Sequence, residues 1–439
     1  MSTLRSGYTW AVFFILSRLG MFYIWLTWTQ YLAADVNYYA WYLERAQPGL
    51  AQTMIEYPVP VIWIMQIIHA VSAPFGFFGT FAVCMLLLDA WLAWRLWRAA
   101  PAAGAYWIVF SLAMGAIVWF RFDLVPAALV ALALVYCMSH PKVSGALIAV
   151  GAAVKLWPAL LIAPMAAHGI TTPRSSGRGR LLGFTVTGVL LALASLATTG
   201  WTRTASPLTW QSDRGLQIES IPATPFMLLN ALMGEPGPWS FALSRYNAWE
   251  VSGPWVDYAL QVSSLLTVAS LVLTAFVSWR VWTAPTLDDK RQTEVLALAV
   301  LIVILAMIVA NKTFSTQYLL WIGGPIAVLL VNADTSRIRT HLWAIAFLSV
   351  IGALATQYIY PWGYGLILQQ PFGDPFANLV MASRNIGIVA LTIWSSVLLW
   401  RVTARSSSSI DQGRQGSLRA PIPEEGDRGI RQRQPDDQP

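Results

Sequence analysis

Five groups of polar side chains stand at the edges of apolar runs. Asp35 opens "DVNYY", which is followed by Glu56 and Tyr57 in "IEYP"; Arg121 and Asp123 lie in "FRFDLVP"; Lys155 lies in "VKLWPAL". Arg214, Gln217 and Glu219 lie in "WQSDRGLQIESIP", and Lys312, Gln317 and Tyr318 in "NKTFSTQYLLW". These are carboxylates, cations, hydroxyls and amides. They suit a transfer in which an anionic group leaves and a hydroxyl attacks. Arg and Lys stabilise charge as it develops on the leaving group, and a positioned carboxylate takes the proton that the hydroxyl loses. Other chemistries lack their signatures. There is no GxxxxGK[ST] phosphate loop, no HExxH or Cys/His ligand set and no serine-nucleophile motif. The four histidines, His69, His140, His168 and His341, are scattered, and Cys84 and Cys137 both lie inside apolar runs as small hydrophobes.

The elements that must position these residues are membrane helices. Of 439 residues 56% are hydrophobic and only 11% charged, with 23 tryptophans. That composition lies far from the soluble average, and Trp favours membrane interfaces. Many apolar runs approach the roughly 20 residues that cross a bilayer. About twelve spans are expected, near 9–31, 79–97, 106–120, 124–138, 143–154, 157–167, 181–199, 256–281, 295–310, 318–331, 342–358 and 379–402. The fold class is therefore an all-α polytopic membrane bundle. Two stretches of the first outer loop, 36–46 and 57–72, are amphipathic or too short to cross and read as interfacial helices. Segments 143–154 and 157–167 read as a hairpin around Lys155, a break tolerated only beside protein or water.

Charge sets the orientation. With the N-terminus in the cytoplasm, that side receives Arg5, Arg95, Arg98, Lys142, Arg174, Arg178, Arg180, Arg280, Lys290, Arg291, Arg337, Arg339, Arg401 and Arg405. The other side receives Asp35, Glu44, Glu56, Asp123, Asp213, Glu219, Glu235, Glu250 and Asp374. This is the positive-inside pattern. It also accounts for the net charge of +7 without a nucleic-acid partner, because no single basic stripe is present. Four charges fall inside spans: Arg18, Asp89, Asp257 and Arg384. Arg18 needs a partner there, and Asp89 is the candidate. The domain plan is a membrane domain over 1–404 and a polar, aperiodic, disordered cytoplasmic tail over 405–439.

Any one polar group has a plain reading, a membrane end that meets water or a headgroup. Their convergence on one face carries more weight, because Arg121, Lys155 and Lys312 sit at helix ends beside apolar surface, where ionisable groups are expensive. A lipid-linked phosphate leaving a sugar would use the whole inventory. Such a donor needs no ATP outside the cell, its tail fits a groove between helices, and aromatic side chains suit flat sugar faces.

The ordered set "DVNYY"…"EYP", "RFDLVPAALVALAL", "GALIAVGAAVKLWPALLIAP", "RGLQIES" and "FSTQYLLW" resembles the polyprenyl-phosphate-sugar-dependent glycosyltransferases of the GT-C superfamily. It is most similar to glycosyltransferase family 87, the actinobacterial alpha-mannosyltransferase type, from about residue 18 to residue 400. Thr316 stands where that family has proline. The resemblance implies a GT-C-type bundle in the cell membrane, an extracytoplasmic active site, cytoplasmic termini and inverting transfer without a metal or other cofactor. It implies a polyprenyl-phosphate mannose donor and a lipid-linked mannoside or glycan acceptor. By residue, it implies Asp35 as general base, Arg121, Lys155 and Lys312 on the donor phosphate, and Glu56, Tyr57, Asp123, Arg214, Gln217, Glu219, Gln317 and Tyr318 lining the substrate pocket. Another polyprenyl-phosphate sugar, such as arabinofuranose, and a twelve-span transporter or flippase are the alternatives.

Overall fold

The computed structural model describes residues 2–168, 176–212, 214–233, 237–285, 287–369 and 373–417. Arg174, Asp213, Glu235 and residues 418–439 lie outside the described residues. Helices dominate, as the scarcity of water around an apolar chain requires: backbone groups in hydrocarbon must be satisfied within their own segment. In order these are α1 (Ser2–Trp28), α2 (Ala34–Ala40), α3 (Val59–Ala70), α4 (Gly76–Ala99), α5 (Pro101–Met114), α6 (Ile117–Phe120), α7 (Leu124–Val135), α8 (Pro141–Val154), α9 (Ile162–Ala167) and α10 (Ser176–Ser212). Then follow α11 (Thr224–Leu232), α12 (Val256–Thr283), α13 (Asp289–Ala310), α14 (Leu320–Val331), α15 (Arg339–Gln357), α16 (Tyr364–Ile367) and α17 (Pro375–Ser417). Pro101 and Pro141 open α5 and α8, where a missing N–H costs nothing. The Asp288 carboxylate caps α13 by accepting from the Arg291 amide at 2.9 Å.

Seven helices are long and apolar enough to cross a membrane: α1, α4, α10, α12, α13, α15 and α17, the last two within Arg339–Trp362 and Pro375–Ala404. The other five expected spans are helical but shorter: α5, α7, α8, the run Trp157–Ala167, and Thr316–Val331. They are short because they break near polar groups. Gly115 ends α5 with φ 71°, and the Gln357 side chain packs where a Cβ would stand. At Lys155 the backbone is extended, after which a 3-10 turn, Trp157–Leu161, restarts the chain toward α9.

Helix α13 is the axis of the bundle, with 83% of its apolar window buried, against 6% for α10. A helix apolar on every side must be wrapped by protein or lipid; α13 packs against α12, α14 and α17, while α10 leaves Val186, Val189, Leu190 and Leu193 exposed. Surfaces of that kind belong in lipid, and the protein is membrane-embedded.

Three expectations change in detail. The chain is not wholly α: a three-stranded antiparallel sheet of order β1-β3-β2 (β1 Leu216–Gln217, β2 Ser240–Leu243, β3 Trp249–Ser252) forms within the longest loop. That loop also starts later than Gly200, because α10 continues past a kink there to Ser212. Finally, α17 runs to Ser417, beyond the expected boundary at 405. The stretch between α1 and α4 holds α2, continued by a π-helical turn over Trp41–Ala46, and then α3, whose Val61, Ile62 and Met65 are buried against the bundle.

Candidate active site

Asp35 lies in the first turn of α2, directly after α1 and the 3-10 turn Gln30–Ala33. Its carboxylate is paired with the Arg121 guanidinium, which comes from the extended residue after α6. Two residues on, the buried Asp123 accepts from Lys155 Nζ at 2.6 Å and from Trp321 Nε1 at 2.8 Å. The breaks that interrupt α5–α6–α7 and α8–α9 therefore serve to bring Arg121, Asp123 and Lys155 to one end of the bundle. Lys155 also lies 4.9 Å from the Tyr318 ring centre and 5.3 Å from that of Trp321. Trp321 is stacked between Tyr318, at 4.2 Å, and Trp157, at 4.7 Å. A cation over stacked aromatic faces is held by their quadrupoles.

Glu56 and Tyr57 reach the same place from the turn before α3. Tyr38 donates to Glu56 Oε1 at 2.7 Å, and the Tyr39 and Tyr57 hydroxyls share a hydrogen bond of 2.9 Å. Tyr57 lies within electrostatic reach of Asp123 and Tyr318. Arg203, just past the kink in α10, fixes this turn by donating to the carbonyls of Thr53, Met54 and Tyr57. Burial lifts the Glu56 carboxyl above the ordinary carboxylate range, and the Tyr38 hydrogen bond and the Arg203 charge offset part of that lift.

The loop residues meet the cluster from the other side. The Gln217 amide donates to the Lys312 carbonyl at 3.0 Å, joining β1 to the turn before Phe314. Glu219 is buried and takes Arg384 Nη1 at 3.2 Å, with the guanidinium 4.4 Å from the Phe314 ring centre. Burial raises the Glu219 carboxyl; Arg384, and to a smaller degree Arg121, pull it back. Arg121 thus faces Asp35, Asp123 and Glu219, and it also bonds the Tyr360 hydroxyl. Burial lowers the Arg121 guanidinium from its ordinary value, and Tyr360, Asp123 and Glu219 counter the shift.

The structure therefore gathers Asp35, Arg121, Asp123, Lys155, Glu56, Tyr57, Tyr318 and Glu219 through direct contacts or electrostatic reach, with the Gln217 and Lys312 backbones alongside. Gln317 is half-buried in the same 3-10 turn as Tyr318. Arg214 lies 5.8 Å from the ring centre of Tyr246. Sequence reasoning missed Tyr360, Trp321 and the contact of Arg384 with Glu219. Trp321 was within reach, since it ends "FSTQYLLW" one helical turn after Gln317. Among the described residues no three His, Cys, Asp or Glu side chains converge as metal ligands would.

Comparison of the chain with protein-family models, with curated proteins and with solved structures returns no match.

Proposed function

We propose that the chain is a membrane mannosyltransferase that moves mannose from polyprenyl-phosphate mannose to a lipid-linked mannoside or glycan. The observation that carries this reading is the Asp35–Arg121 pair beside the Asp123–Lys155 pair, at the boundary of the apolar bundle. The arriving donor phosphate competes with the two carboxylates for Arg121 and Lys155, with Lys312 as the third cation. Once Arg121 turns to the phosphate, Asp35 is released to take the proton of the acceptor hydroxyl. The acceptor oxygen forms its bond to the anomeric carbon, and the carbon–oxygen bond to phosphate breaks with its electron pair going to the phosphate. Direct displacement inverts the anomeric centre. The residue order matches the family resemblance described above, and Tyr57, Tyr318 and Trp321 supply flat faces for sugar rings.

This reading includes a topology. The five short helices complete a twelve-pass path whose polar breaks face a wet outer cavity. In it α2 and α3 border the outer leaflet, the cluster is extracytoplasmic, and both termini are cytoplasmic.

The test uses purified protein, radiolabelled polyprenyl-phosphate mannose and a lipid mannoside. Folded Asp35→Asn should transfer about 10²–10⁴-fold more slowly, the usual contribution of a general base. Full-rate transfer by that variant would remove Asp35 as the base. Parallel assays with other polyprenyl-phosphate sugars fix the donor, and uptake of labelled substrate into proteoliposomes with no covalent product would replace the enzyme with a transporter.

A further inference from the structure

A second polar site lies away from the cluster around Asp35. The start of α13, the turn between α14 and α15, the start of α15 and the middle of α17 enclose a cavity of about 110 Å³. That is several times the roughly 10–15 Å³ that one water needs. Its walls carry Lys290, Arg291, Arg337 and Arg401, with the half-buried His341 beside them, against one carboxylate, Glu294. Glu294 is buried in that same wall, bonded to Ser336 and within reach of Arg291, so it offsets only part of the positive charge. Asp288 pairs with Arg291 only at 3.8 Å, with both side chains largely exposed. Four cations from three separate elements, all exposed, stand around one concavity with a single carboxylate in its wall. An anion entering it meets several positive charges at once.

The depth of the cavity identifies the anion. Arg401 follows the exposed Trp400, and His341 lies two residues before the exposed Trp343. The Arg280 guanidinium sits 4.1 Å from the Trp400 ring centre, and Trp279 and Trp282 are exposed on the neighbouring α12. A belt of exposed Trp with Arg beside it marks the level of lipid headgroups. The cavity also has an apolar wall of Leu398, Val402 and Ile338 next to its charges. A free ion has no use for that wall, whereas the glycerol and first methylenes of a lipid do.

We propose that this cavity is a phosphate site that takes the headgroup of an anionic phospholipid from the adjoining leaflet. Basic pockets between membrane helices bind such headgroups through phosphate contacts. Occupation would tie the ends of α13, α15 and α17 together. The inference is independent of the reaction proposed above, since it shares no residue with the Asp35 cluster.

Thermal unfolding of the full chain in nonionic micelles tests it, with three additions: phosphatidylglycerol, phosphatidylcholine and inorganic phosphate. Phosphatidylglycerol should raise the unfolding temperature saturably, and phosphatidylcholine should not. A further rise with inorganic phosphate would assign recognition to the phosphate group itself. A rise with inorganic phosphate alone would overturn the lipid as its source. Arg337→Gln/Arg401→Gln should weaken phosphatidylglycerol roughly fivefold for each cation removed, while Arg98→Gln, outside the cavity, should not. If that pair fails to fold, Lys290→Gln/Arg291→Gln, at an exposed helix start, replaces it. Unchanged phosphatidylglycerol binding in a folded double variant, or equal stabilisation by phosphatidylcholine, would overturn the proposal.

Discussion

At the scale of single residues the site is defined by carboxylates that differ in their partners. Asp35 and Asp123 each face a cation, whereas Glu56 faces a tyrosine and a more distant Arg203. Glu56 therefore holds its proton to higher pH in the folded chain than in the unfolded one. The sign follows from linkage: between the two values the native state binds more protons, so stability is full below the unfolded carboxylate range and falls as pH rises through the raised folded value. Glu56→Gln mimics the protonated form. Its unfolding temperature should match wild type in acid, exceed it toward neutral pH and lose that part of the pH slope; parallel curves for the two proteins would contradict the shift. The charged members of this site were legible because a charge beside a long apolar run is conspicuous in the sequence. Tyr360 was not, since it is one of several aromatics in "YIYPWGYG" and only the folded chain brings it to Arg121. Arg384 was visible as a charge inside a span, but its partner Glu219 lies 165 residues away, beyond any local pattern.

At the scale of elements, two contacts hold the helices that carry the site. Lys155 ends α8, and α8 lies against α10 through glycines: a Cβ on Gly145 would collide with the backbone at Arg180 and Phe184, and one on Gly183 with the backbone at Lys142. Alanine gains about 1 kcal/mol over glycine inside a helix, but here the collision is with rigid backbone, and overpacking costs about 1–3 kcal/mol. Gly145→Ala should therefore lower the unfolding temperature and displace Lys155, reducing transfer more than an alanine at Gly387 of α17, where a Cβ would meet open space. The second contact is Arg18–Asp89, which joins α1 to α4 through two bonds of 2.8 Å and recruits Ser111 and Trp107 of α5. Removing one partner of a buried pair leaves an uncompensated charge and costs about 3–5 kcal/mol. Arg18→Met should destabilise by that order, and Arg18→Met/Asp89→Leu should recover much of it in chemical-denaturation curves. That pair was readable in the sequence, because a charge in mid-span demands a partner. The sheet over Leu216–Ser252 was not, since strands of two to four residues inside a loop leave too short an alternation to register. The expected span 106–120 runs across the break at Gly115 because hydropathy continues through it, whereas the expected end of 143–154 beside Lys155 is where α8 stops.

At the scale of the whole molecule, the two polar ends differ in kind. One gathers carboxylate–cation pairs among aromatic rings around Asp35 and Asp123; the other gathers cations around Lys290, Arg337 and Arg401. In the proposed topology the asymmetry follows the rule that Lys and Arg flanking spans stay in the cytoplasm, and the chain direction through α13 separates the two ends by one helix, with Lys290 at its start and Lys312 just past its end. A 22-residue helix rises about 33 Å, close to the roughly 30 Å of a hydrocarbon core, so both ends can sit at headgroup level on opposite faces. Sidedness is therefore testable at two points. In a chain with Cys84 and Cys137 replaced by alanine, Ala242→Cys on β2 should react with a membrane-impermeant maleimide added to intact cells. Thr335→Cys in the α14–α15 turn should react only after the membrane is opened. Labelling of both from outside would break the twelve-pass path. Labelling of Thr335→Cys alone would invert it and move Asp35 to the cytoplasmic face, where a lipid-linked donor has no advantage over a nucleotide one.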